Sequence, residues 1–170
     1  MKHKMFAAII VIMLCVLGIG LYQFSQAPSG NTVKGREEIL RELSIGTHLK
    51  IAKEQNVENY LISGVYSDNQ AGIAIFEQDN NANCKLISVE CRGADDIVIS
   101  QCLIQDQWYD LIWFNGASTN YAEVTYTIDG VKAAPIVFDT TDMNLICSKT
   151  PSNHYSIEVS YYDDDGNVYE

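Results

Sequence analysis

The chain has 170 residues, with 22 acidic side chains against 11 basic ones and a net charge of −11. That balance repels phosphate backbones and anionic headgroups, which excludes nucleic acid as an expected partner. The length beyond the first apolar run corresponds to one domain with room for a core of its own.

Lys2, His3 and Lys4 stand before an uncharged apolar run from Met5 to Tyr22. At 1.5 Å per residue this run makes a helix of about 27 Å, close to the hydrocarbon thickness of a bilayer. Residues 1–24 are therefore expected to be a transmembrane signal-anchor, touching the cell membrane through residues 5–22. Basic residues before the span and none after it until Lys34 put the N-terminus in the cytoplasm and the rest of the chain outside. The best site for signal cleavage, Ser25-Gln26-Ala27, is followed by Pro28, which argues for retention of the anchor. Residues 25–34, with Pro28 and Gly30, read as a flexible tether, and residues 35–170 as an extracytoplasmic domain.

Arg36 to Ile45 carries Ile39, Leu40 and Leu43 at helical spacing and predicts a short amphipathic helix ending at Gly46. Thr47 to Asn56 fits either more helix or a first strand. From Tyr60 onward, short runs rich in Val, Ile, Tyr and Thr alternate with Asn, Asp and Gly. They predict strands at 60–66, 72–78, 85–91, 97–105, 108–115, 121–128, 131–138, 143–148 and 154–162. Asp129-Gly130 predicts a two-residue hairpin pairing Ile128 with Val131, and Pro135 puts its strand at an edge or beside a bulge. The expected fold is mainly β: an antiparallel β-sandwich of about eight or nine strands with one short amphipathic helix and one transmembrane helix.

If the 116–120 loop is a hairpin pairing Asn115 with Tyr121, parity puts Trp108, Ile112, Phe114, Ala122, Val124, Tyr126, Ile128, Val131 and Val137 on one face, which must be covered. Tyr109, Trp113 and Tyr121 then share the other, and this aromatic face is the candidate ligand or glycan platform. If the 92–96 loop is a hairpin, Cys84 nears Cys102, leaving Cys91 for Cys147. Four body cysteines in an oxidising compartment make these the disulfide candidates, although three pairings exist.

Catalytic and metal constellations are not expected. The body has no Cys-x-x-Cys pair, and its histidines are His48 and His154. There is no Gly-x-Ser-x-Gly elbow and no glycine-rich phosphate loop. Asp163-Asp164-Asp165-Gly166-Asn167 starts like a calcium loop but has Val168 where such a loop needs glycine, so it reads as a hairpin turn. No cofactor is implied.

The stretches YLISGVYSDNQAGIAIFE, YDLIWFNGASTNYAEVTYTIDG and YSIEVSYYDDDGNVYE resemble small single-span proteins of unknown function from low-GC Gram-positive bacteria. The resemblance covers about Tyr60 to Glu170. It implies a β-rich domain outside the cell membrane and no activity, substrate or catalytic residue. The expected role is a non-enzymatic binding or structural module at the cell envelope, with an envelope protein or a glycan as partner.

Overall fold

The computed structural model describes residues 30–43, 48–80, 82–93, 97–115, 120–151, 154–163 and 165–168. The expected transmembrane helix at Met5–Tyr22 lies outside them. Among the described residues no helix is long and apolar enough to cross a membrane.

The described chain opens with one helix, α1 (Val33–Glu42), followed by β1 (Lys50–Val57), β2 (Tyr60–Tyr66), β3 (Gln70–Gln78) and β4 (Cys84–Gly93). These four strands form an antiparallel sheet in chain order. Next come β5 (Ile97–Ile104), β6 (Gln107–Phe114), β7 (Tyr121–Ile128), β8 (Val131–Lys132), β9 (Ile136–Asp139), β10 (Asn144–Lys149) and β11 (Tyr155–Tyr162). A second sheet has the order β10-β6-β5; a third has β11-β7-β8, with β9 also on β7. All pairings are antiparallel.

The mainly β architecture agrees with expectation, but among the described residues eleven strands in three sheets replace about eight or nine in two. Alternation along the strands explains the stacking. Ile62, Ala71 and Ile73 of the first sheet meet Val98, Leu111, Trp113 and Leu145 of the second. Ile112, Phe114, Ile97 and Ile146 point the other way and pack on Ala122, Val124, Phe138 and Tyr161 of the third sheet. The second sheet is thus a middle layer, which is why β6 is apolar on both parities. Phe114 meets Phe138 and Tyr161 at ring separations of 6.2 Å each.

The outer face of the first sheet is covered by α1. Thr32 caps the helix by accepting a hydrogen bond from Gly35 N at 3.0 Å. The helix therefore begins three residues before Arg36, and Gly30, expected in the tether, is buried against Cys84. Its buried side is Gly35, Arg36 and Leu40, while Leu43, expected inside, is 55 % exposed. Arg36 survives burial through a two-pronged pair with Glu54 of β1 at 2.6 and 2.9 Å. It also donates to the carbonyl of Gly30 at 2.6 Å, and Glu54 accepts from Ser63 at 2.9 Å. Glu37 adds a bond from the backbone N–H of Ile51 at 3.0 Å.

β8 and β9 are one strand broken by a bulge. Thr127 pairs Lys132 and Val124 pairs Ile136, so the register slips by one residue across Ala133-Ala134-Pro135. Pro135 has no N–H to give the ladder and sits in the slip.

Two expected hairpins do not form. β4 and β5 lie in different sheets, and so do β6 and β7. The predicted disulfides fail for that reason: Cys84 and Cys91 sit on the helix side of the first sheet, whereas Cys102 and Cys147 sit between the first and second sheets. The first sheet separates both proposed pairs, and all four thiols are free.

Candidate functional site

Tyr109, Trp113 and Tyr121 are not brought together. Tyr109 and Trp113 are buried between the first two sheets at 6 % and 0 % exposure. Tyr121 belongs to the third sheet, where it stacks on Tyr162 at 4.7 Å. The cause is the link between β6 and β7, which passes from one sheet to the next instead of turning a hairpin. Trp108, expected under cover, is instead 48 % exposed beside its cross-strand partner Leu103 at 52 %, and Val131 and Val137, expected on the same covered face, are exposed too.

The third sheet covers only part of the middle layer, and its bulged side stands off from β10. Between them lies a half-open groove of about 270 Å³, near the small end of the range for ligand sites, roughly 300–1,000 Å³. The strand registers give it a direction. At one end its walls are Ile112, Ile146, Val124 and Phe138; at the other they are Tyr126, Ile128, Ser148, Lys149 and Pro151, a mixture of polar and apolar groups. The hydroxyls of Tyr126 and Ser148 are 3.3 Å apart. Ala133, Ala134 and Ile136, the small and apolar residues at and beside the bulge, form the rim opposite β10.

Behind the mixed end sits Asp110, fully buried on β6 opposite Ser148. Its Oδ1 accepts from Tyr155, from Gln101 at 2.9 Å and from Thr150 at 3.4 Å. Its Oδ2 has no hydrogen-bond partner among the described residues. Burial and the bond to Asp110 push the Tyr155 phenol up to about 12, and burial first, with Asp110 adding to it, raises Tyr126 as well. Both phenols therefore stay protonated at neutral pH, and Tyr155 donates to Asp110.

His48 is exposed near α1, and His154 is exposed just before β11. They lie in layers separated by the second sheet, so they form no joint site. Among the described residues no group of three or more His, Cys, Asp and Glu is placed to hold a metal ion. Asp163 turns its carboxylate onto the backbone of its own turn, accepting from Asn167 N at 2.8 Å and Asp165 N at 3.0 Å. Gly166 takes a φ of +78°, and Tyr162 bridges to Val168, as a hairpin turn requires.

Sequence reasoning missed the groove, although one signal was present. Asp110 interrupts an otherwise apolar strand, and a charge at such a position marks a polar site inside the protein.

No family model, curated protein or solved structure matches the chain.

Proposed function

We propose that this chain is a binding module of the cell envelope, held outside the membrane by residues 5–22, which takes up a small apolar ligand in the groove between its second and third sheets. The groove carries the reading: a concave, mostly apolar hollow with a few polar groups is the usual form of a small-molecule site. The tethered topology is supported by Lys2 and Lys4 ahead of the apolar run. The resemblance of Tyr60 to Glu170 to single-span envelope proteins favours the same address. On this reading the module binds and does not catalyse.

The test uses the full chain in nanodiscs with isotope-labelled isoleucine methyls. Octanol should shift Ile112, Ile136 and Ile146 saturably while leaving Ile62 and Ile73, on the far side of the middle sheet, unmoved. Ala134→Trp, which fills the rim, should abolish the shifts. Unmoved groove methyls in the unaltered chain would refute the reading. The topology is tested separately, since protease added to intact cells should digest the body.

A second reading follows from Trp108. A half-exposed indole on the strand face that Gln101 shares, one pair along the ladder, offers a stacking face with a polar neighbour, the elements that hold a sugar ring. It moves the expected glycan platform from Trp113 to Trp108. Saturable polysaccharide binding lost in Trp108→Ala would support it, and no binding to any envelope sugar would remove it.

A further inference from the structure

We infer that the domain rests on its own membrane through the helix side of its first sheet, with Leu43 and the hollow beside it against the bilayer surface and the third sheet turned outward. The inference rests on residues 5–22 being the anchor and adds which face of the body meets the lipid.

Three observations carry it. The first is where the chain enters the domain. Gly30 lies on the helix side of the first sheet, pressed so closely on Cys84 that a Cβ would meet the Cys84 carbonyl oxygen at 2.1 Å. Its own carbonyl accepts from the buried Arg36 guanidinium at 2.6 Å, which fixes the point of entry. Seven residues separate Tyr22 from Gly30, and such a link reaches at most about 28 Å. From Gly30 straight through the protein to the outer surface of the third sheet is roughly 30 Å, counting two interlayer spacings of about 10 Å and about 5 Å of side chains on each outer face. A path around the body is longer still. The link is therefore too short for the third sheet to lie on the bilayer, and its exposed Val131, Ile136 and Val137 do not compete for that place.

The second observation is the distribution of charge. Residues 30–93, which hold α1 and the first sheet, carry seven basic and nine acidic side chains; residues 94–170, which hold the other two sheets, carry two basic and thirteen acidic ones. A low-dielectric bilayer repels any charge brought close to it, and anionic headgroups repel carboxylates further. Both effects turn the acidic layers away and leave the nearly balanced layer inward. Screening confines the headgroup field to roughly 8 Å at physiological ionic strength. The carboxylates of the third sheet are outside that range in this orientation and enter it only if the body tips over.

The third is an apolar contact beside the point of entry. Between the end of α1 and the first residues of β4 lies a shallow hollow lined by Ile39, Leu43, Cys84 and Leu86 together with Glu42 and Lys85. Leu43 is more than half exposed there, and Cys84 touches both the hollow and Gly30. An aliphatic side chain at the free end of a helix gains by entering the headgroup boundary, which removes its surface from water while charged neighbours stay hydrated. In this orientation the groove between the second and third sheets lies on the side away from the lipid.

The experiment places the full chain in nanodiscs of phosphatidylcholine and phosphatidylglycerol, with gadolinium chelated at some of the headgroups, and reads isoleucine methyl signals. Ile39 and Ile51, on the helix side of the first sheet, should be lost to broadening, while Ile136 and Ile157 of the third sheet persist. Leu43→Glu puts a carboxylate at an exposed position in the contact and should return part of the Ile39 and Ile51 signals. Equal loss in both layers, greater loss in the third sheet, or losses in Leu43→Glu equal to those of the parent would overturn the assigned face while the anchor stands. A chain that does not purify with the nanodiscs would instead bring down the anchor reading, and this inference with it. Ile62 and Ile73 methyls at their parental shifts would establish that Leu43→Glu is folded.

Discussion

Gly64 lies directly beneath the ring of Trp113: a Cβ placed on that glycine would meet the nearest ring carbon at 2.2 Å. The contact crosses the interface between the first and second sheets and leaves no room for any side chain on β2 at this point. It is a steric lock between layers that do not share a hydrogen-bond ladder.

Gly64→Ala should therefore destabilise the domain by about 3 kcal/mol, the upper part of the range for forcing a methyl into a packed core. Urea denaturation measures it. Pairing the change with Trp113→Leu should recover part of the loss, because the two positions share one space and so are not additive. Equal losses that simply sum would show that the ring and the glycine do not compete.

The Arg36 and Glu54 pair fastens α1 to the first sheet, with side-chain exposures of 7 % and 19 %. Arg36→Ala leaves a largely buried carboxylate with only Ser63 to serve it, and should cost about 3 kcal/mol. Arg36→Met combined with Glu54→Leu should cost much less than either single removal, since neither charge is then stranded. Denaturation midpoints of the three variants test both statements.

All four described cysteines should remain as thiols. Mapping of peptides without reduction should find no cross-link among Cys84, Cys91, Cys102 and Cys147. Burial pushes the Cys102 thiol up to about 11, and burial, aided by Cys102, pushes Cys147 up to about 12. Because the thiolate is the reactive form, both should resist alkylation near neutral pH in the folded protein and react once it is unfolded.

Tyr155 sets an alkaline limit. Its phenol is raised from 10.0 to about 12 in the folded state, so its contribution to stability is complete below pH 10 and is lost as pH rises toward about 12. Tyr155→Phe removes this titration, and the variant should lose less stability than the parent between those two values. Thermal melts from pH 9 upward would reveal the difference; parallel curves would refute it.

Single strands were largely legible in the sequence, and their neighbours were not. β2 and β7 fall on the expected 60–66 and 121–128, the Asp129-Gly130 turn pairs Ile128 with Val131, and Pro135 marks a bulge. The expected hairpins at 92–96 and 116–120 both turned out to be passages between sheets. Alternation of side chains reports what lies above and below a strand and says nothing of what lies beside it. Even the shorter of these links, the three residues between Gly93 and Ile97, can span about 10 Å or more, enough to reach either a neighbouring strand at roughly 4.8 Å or a stacked sheet at about 10 Å. The site inherited that ambiguity. Trp113 is buried and Trp108 exposed because the third sheet covers the inner half of β6 and stops short of its first residues.

β6 has company on all sides: β5 and β10 along its edges, the first sheet over one face and the third over much of the other. From Tyr109 to Phe114 it offers no solvent-facing position at which a substitution would go unnoticed. Drift in this protein should accordingly be unequal. The rims, the bulge and the helix surface can diverge freely, while this short central segment keeps a common signature by which remote kin could be traced.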